Sequence, residues 1–285
     1  MHPGQTVKLA DGKKIGFSEY GDQKGMPIFY FHGLPGSRLE AAKFNEVAAS
    51  NHYRLIGIDR PGMGLSPIDK KRTILSWATD VENFANCLGI EKFSIIGHSG
   101  GAPFVASCAY AIPERLTGAA IVSGMAPFEK PESKIGMARG QIIASRLIKI
   151  LPWLSTVMMQ LNLMMLKKPK MIERMLKQLP EVDRILFQDP EIGKALINST
   201  IEAFRSGISG PAYETNLLFK PWGFELKNVK CPITIWQGTL DAQAPMSHAK
   251  IYANLVPGAK LKIIENEGHL SLLKNHIEEI LKGVS

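Results

Sequence analysis

Short apolar runs alternate with amphipathic stretches through the first 122 residues of the chain. Pro27 to Phe31, Tyr53 to Ile58, Phe93 to Ile96 and Gly118 to Val122 are mostly apolar, as strands buried on both faces require. Between them, residues 38 to 50 and 73 to 88 read as helices, the second placing Trp77, Val81, Phe84 and Leu88 on one side. A further helix is expected after Gly101, to about Ala111. Near the start, two shorter strand candidates at residues 5 to 9 and 14 to 20 flank Asp11-Gly12, a hairpin turn pair. Strands and helices taking turns in this way imply right-handed crossovers and a parallel sheet.

After Ser123-Gly124 the rhythm breaks. For about a hundred residues the pattern is helical only, punctuated by Pro131, Pro152, Pro180, Pro190 and Pro211. Strand character returns at Pro232 to Trp236, followed by a helix at 246 to 255, a strand from Lys260 to Ile264 and a terminal helix from about Ser271. The expected fold is α/β, a mostly parallel eight-stranded sheet with helices on both faces, built from residues 1–126 and 227–285. Residues 127–226 are expected to form an inserted helical lid.

Candidate chemistry collects at the strand ends. Gly97-His98-Ser99-Gly100-Gly101 follows an apolar run and opens an Ala-rich helix, which makes it a nucleophile elbow. Such a turn strains the backbone at Ser99 and leaves no room for side chains two residues to either side, hence the glycines. His269, in Asn266-Glu-Gly-His-Leu270 just after the last strand, is the candidate base. Asp241, in the loop after Pro232 to Trp236, is the candidate acid that orients it; the alternative acid position after Val122 carries no carboxylate. Oxyanion donors are expected from the N–H groups of Gly100 and Leu34, the latter in His32-Gly-Leu-Pro-Gly-Ser37, where Pro35 has no N–H to give. His98, Met125 and Leu270 are candidate pocket residues, and His32 is expected to buttress the oxyanion loop. Asp59 and Arg60 read as a local ion pair, and His2, His52, His248 and His276 as surface or packing residues.

These motifs resemble those of the α/β-hydrolase fold superfamily over nearly the whole chain. HGLPGS at 32 to 37, DRPGMGLS at 59 to 66, GHSGG at 97 to 101, the Asp241 loop and EGH at 267 to 269 stand in that family's order, with Ser before Asp before His. The return segment GPAYETNLLFKPWGFEL at 210 to 226, with HGLPGSR, is similar to a bacterial subgroup of hydrolases. The resemblance implies the fold and hardly the substrate; the complete constellation together with an apolar lid points to a serine hydrolase, foremost a carboxylesterase acting on a small-to-medium ester with an apolar part. A proline iminopeptidase-like, C–C or thioester hydrolase would use the same triad, with Glu202 and Glu214 as acids available to a substrate ammonium. A ligand-binding receptor on a hydrolase fold is the alternative of another class. Ser99 stands where haloalkane dehalogenases and epoxide hydrolases need Asp.

No cofactor or metal is expected. The glycines of Pro61-Gly62-Met63-Gly64 fail as a dinucleotide fingerprint because Pro67 occupies the third glycine position, and no P-loop occurs. Cys87, Cys108 and Cys231 read as buried free thiols. Residues 130 to 186 hold eleven basic side chains against four acidic ones, +7 of the net +8. Without interleaved aromatics that charge reads as a solvated face rather than a nucleic-acid site, with contact to anionic lipid as a lesser alternative. Seven of the twelve methionines lie between Met137 and Met175, either as helix packing or as an adaptable wall for an apolar ligand. Arg146, Lys149, Pro152, Gln160 and Asn162 interrupt the most apolar stretch, 141 to 166, so no transmembrane segment is expected. An N-terminus with no apolar signal core points to the cytoplasm. Monomer and homodimer are equally compatible with the sequence.

Overall fold

A computed structural model describes residues 4–285. One sheet holds its eight strands: β1 (Gln5–Lys8), β2 (Lys14–Gly21), β3 (Met26–Phe31), β4 (Tyr53–Ile58), β5 (Phe93–His98), β6 (Leu116–Val122), β7 (Thr234–Gly238) and β8 (Lys260–Ile264). Their order is β1-β2-β4-β3-β5-β6-β7-β8. β2 pairs antiparallel with β1 and β4, and every other neighbouring pair is parallel. Helices α1 (Asn45–Ser50), α2 (Trp77–Cys87) and α3 (Ala102–Ala111) make the crossovers up to β6. Between β6 and β7 the chain is helical: α4 (Arg139–Ile150), α5 (Leu154–Leu166), α6 (Pro169–Leu176), α7 (Glu181–Ile185), α8 (Pro190–Ala203) and α9 (Ser209–Leu218). The core then resumes with α10 (Met246–Leu255), α11 (Ser271–Asn275) and α12 (Ile277–Lys282).

Alternation along the strands builds two cores. In β3, Phe29 and Phe31 join Trp77, Phe84 and Phe104 on one face, while Ile28 and Tyr30 join Phe44, Trp236, Leu272 and Ile280 on the other. The apolar runs read as double-faced strands are double-faced because both layers of helix cover them. Within the helical insertion, prolines open α6 and α8, where a missing N–H costs nothing. Asp189 caps α8 by accepting from the N–H groups of Glu191 and Ile192.

Three expectations are corrected. Residues 38 to 50 are not one helix but a 3-10 segment, Arg38–Phe44, followed by α1. The Arg38 N–H is drawn 2.6 Å from the Asp59 carboxylate and Glu40 turns into the interior, so tertiary polar contacts override the helical pattern. The terminal helix breaks at His276 into α11 and α12. Of the cysteines only Cys108 is buried; Cys231 is half-buried, and Cys87 is exposed at the end of α2, its thiol reaching the Lys8 carbonyl of edge strand β1.

Candidate functional site

The elbow has the geometry its glycines require. Ser99 sits between β5 and α3 with φ +52°, a left-handed conformation that costs a non-glycine residue energy and here presents the hydroxyl at the strand's end. A Cβ at Gly97 would lie 2.6 Å from Val105 Cγ2, and one at Gly101 would strike the Phe31 carbonyl. Both glycines are therefore dictated by packing, as read from the sequence.

Across the sheet, His269 Nδ1 lies 2.9 and 3.0 Å from the two Asp241 oxygens. Burial disfavours charge on Asp241, but the His269 ring and the N–H groups of Ala244 and Gln243 outweigh it and hold the carboxyl below its usual pKa. Burial likewise pulls His269 down, while Asp241, and beyond it Asp183 and Glu40, push it up; the net shift is upward. With Nδ1 held by the acid, Nε2 is the free face of the ring. Ser99 and His269 line the same cavity, and no hydrogen bond joins the hydroxyl to the ring among the described residues, a contact that commonly tightens only when substrate binds. The Leu34 N–H stands beside Gly100: a Cβ on Gly100 would be 3.3 Å from Leu34 N.

Three further buried acids support these groups; of them only Glu214 is singled out in the sequence, and for a different task. Glu40 accepts from the Gly33 N–H (2.9 Å) and the Tyr30 hydroxyl (2.7 Å) and lies 2.7 Å from His98 Nδ1. Burial opposes its charge, yet His98 and Tyr30 keep its pKa well below the usual range. His98 Nε2 is 3.1 Å from the His269 carbonyl, so one ring spans the elbow and the histidine loop. Asp183, on α7, accepts from the N–H groups of His269, Leu270 and Ser271, each at 2.9 Å. Glu214, on α9, is fully buried between Arg60 (2.6 Å) and Arg72 (2.9 Å), and its pKa falls to about 2: burial raises it, and the two guanidiniums overcome burial. Arg60 also donates to the His32 and Gly33 carbonyls, fixing the strand end that carries Leu34.

His32 is fully buried, its Nδ1 2.7 Å from the Gly33 carbonyl and its Nε2 facing the Arg60 N–H. Burial and Arg60 push its pKa to about 3, so it is a neutral prop for the loop. Asp59 and Arg60 do not pair with each other as expected: Asp59 binds Arg38 at 2.9 Å and Arg60 binds Glu214 at 2.6 Å, because each meets an opposite charge brought in by another element. His52 is exposed, His248 is buried and His276 is half-buried, while His2 lies outside the described residues.

The cavity measures about 590 Å³. His98 and Leu270 line it, but Met125 does not; its N–H donates to the Ser99 carbonyl (3.1 Å) and braces the elbow from behind. The opposite wall comes from the insertion, chiefly Met158, Met159, Met175, Leu176, Leu179 and Phe187, with Gln141, Asn162 and Thr200 as polar points. No compositional signal marks Asp183 or Glu40 beforehand, since Asp183 acts on the His269 N–H 86 positions away and Glu40 reaches His98 58 positions on from inside a segment read as helix.

Residues 26–142 match the family model described as alpha/beta hydrolase fold. Among curated proteins, a non-heme chloroperoxidase of Streptomyces lividans is 32% identical over 126 residues, 43% of this chain and 45% of that protein. The dihydrolipoyllysine-residue acetyltransferase component of the acetoin cleaving system of Cupriavidus necator is 24% identical over 275 residues, 95% of this chain and 66% of that protein. In both, the match spans less than two thirds of the relative's own length. Of solved structures, an esterase from Exiguobacterium antarcticum superposes with a TM-score of 0.71 at 18% identity, covering 98% of each chain. The sheet order, the covering helices and these likenesses agree: the chain has the α/β-hydrolase fold, and its residues 26–142 match that family's model.

Proposed function

We propose that the chain is a serine hydrolase, acting as a carboxylesterase on a small-to-medium ester with an apolar moiety. The observation that carries this reading is the His269–Asp241 pair at 2.9 Å on the same cavity as a strained Ser99. In the proposed mechanism His269 Nε2 takes the Ser99 proton as the oxygen attacks the ester carbonyl, and the Leu34 and Gly100 N–H groups stabilise the oxyanion. Collapse expels the alcohol, which takes that proton from His269. Water, deprotonated by the same ring, then releases the acid and restores Ser99. Asp241 fixes the ring tautomer throughout. The helical insertion, taken as residues 127–226, is the lid whose Met-rich inner wall receives the apolar part. The likeness to an esterase fold fits this reading.

A peptidase that grips a free ammonium is disfavoured by one observation. Glu202 and Glu214, the acids available for that task, are already bound to Arg38 and to Arg60 and Arg72, and Glu40 in the cavity wall is bound to His98 and Tyr30. The test is turnover of short p-nitrophenyl esters by the wild-type chain and by Ser99→Ala. Activity in the first and a loss of at least about 10³-fold in the second is expected. Equal rates would overturn the mechanism. Failure of the wild type to react with a fluorophosphonate probe would favour the receptor reading instead.

A further inference from the structure

The outer faces of α4 and α5 are apolar where helices of a water-soluble domain are usually polar. On α4 the i, i+4, i+7 set Ile143, Leu147 and Ile150 points to solvent, while Ser145 and Ile148 are buried. On α5 the same spacing exposes Val157, Leu161 and Met164, with Ser155 and Met159 buried instead. The connecting turn joins the two stripes: Ile150 is 73% exposed and Trp153 59%. Exposed apolar side chains lined up on adjoining helices in this way mark interaction sites.

The charge around this face selects its partner. Arg139, Arg146, Lys149, Lys167, Lys168, Lys170 and Arg174 are exposed and take part in no salt bridge among the described residues. A second copy of the chain docked face to face would bring these like charges together. An anionic bilayer surface would instead neutralise them while accepting the apolar stripe, with Trp153 at the headgroup level that suits an indole. We propose that the α4–α5 face docks the protein reversibly on anionic membrane surfaces, the tip from Ile150 to Trp153 inserting and the basic side chains engaging headgroup phosphates. This surface is independent of the proposed hydrolysis. It lies on the outside of the same helices whose inner residues, Gln141, Met158 and Met159, line the cavity.

Sequence supplies a built-in reporter. Trp77, Trp222 and Trp236 are at most 4% exposed, so a change in tryptophan emission on docking comes from Trp153. The experiment titrates the full chain with vesicles of phosphatidylcholine alone and of phosphatidylcholine with phosphatidylglycerol, following emission and co-sedimentation. Binding and a blue shift are expected only with phosphatidylglycerol, both vanishing near ~0.5 M salt. The pair Ile150→Ser with Trp153→Ser, and separately Arg146→Glu with Lys149→Glu, should each weaken sedimentation at least about tenfold, while unfolding midpoints that match the wild type show that the fold is kept. The second pair retains the tryptophan and should lose the blue shift. Absence of binding to phosphatidylglycerol vesicles, or binding that neither pair weakens, overturns the proposal. So does a lipid-free dimer that the Ile150 and Trp153 substitutions dissociate, which would assign the face to a second copy.

Discussion

Asp183 grips the backbone of the His269 loop from a helix that belongs to the insertion, through three N–H groups at 2.9 Å. A carboxamide there keeps the shape but turns one acceptor into a donor facing those N–H groups. Asp183→Asn is therefore expected to lower kcat of ester hydrolysis by about 10- to 100-fold, through the misplaced ring. A pH profile separates this from a merely structural loss. His269 has a raised pKa, to which Asp183 adds after Asp241, and the proposed base works only unprotonated. In the wild type the acidic limb of kcat/KM should lie above about 6.5, the ordinary histidine value. Removing the Asp183 charge lowers the ring's pKa, so the base stays free to lower pH and the limb moves down. A limb that stays in place would leave Asp183 with no electrostatic share. Ser99, Asp241 and His269 were legible in the sequence because each lies in a short motif beside a strand end. Asp183 and Glu40 were not, since their value comes from partners that only the fold assembles. Met125 shows the opposite case: it follows a strand end as a pocket residue should, yet faces away from the cavity.

At the scale of elements, Glu214 is the ionic tie between α9 and the core among the described residues. Glu214 sits fully buried between two arginines, and Arg60 passes the connection on to the His32 and Gly33 carbonyls. Taking away one partner of such a pair leaves charge stranded in the interior. Glu214→Gln is expected to destabilise the protein by about 3–5 kcal/mol at pH 7, read from urea unfolding. The folded pKa is depressed, from 4.5 to about 2, so the carboxylate's contribution is complete above the unfolded value and lost as pH falls through the folded one. The gap between variant and wild type should narrow from about pH 4.5 toward pH 2. A constant gap would mean that shape, not charge, holds α9. The central strands were legible to within about two residues because burial on both faces leaves a continuous apolar signature, whereas α2 begins four residues later than its pattern suggested. The 3-10 segment at Arg38–Phe44 was not, since Asp59 lies 21 positions from the N–H it binds.

For the whole molecule, the insertion is tied down unevenly. Its second half reaches the core through Asp183, Glu202 and Glu214, and α9 buries seven of its ten residues. α6 buries none, and α4 and α5 bury two each. Local opening follows such differences in buried contact. Hydrogen exchange by mass spectrometry should therefore show α4 to α6 exchanging faster than α8 and α9 by orders of magnitude. Uniform protection across the insertion would contradict this anchoring. The break in pattern at Ser123-Gly124 announced the helical stretch between β6 and β7. Its attachment was hidden, because eleven basic residues between 130 and 186 gave the stretch the look of a solvated surface.

The Glu214 pairing also bears on the order in which the chain can mature. Arg60 and Arg72 pack over Phe104, at 4.7 and 6.0 Å from the ring, inside the part of the sheet that leaves the ribosome first. Their counter-charge is encoded more than a hundred positions later. Until α9 emerges, Arg60 and Arg72 lack the carboxylate they pair with, so the sheet around them is expected to stay partly open. Glu214 is thus expected to act as a late closing step for the strand end that carries Leu34, and a chain halted before residue 214 is expected to leave that end unfinished.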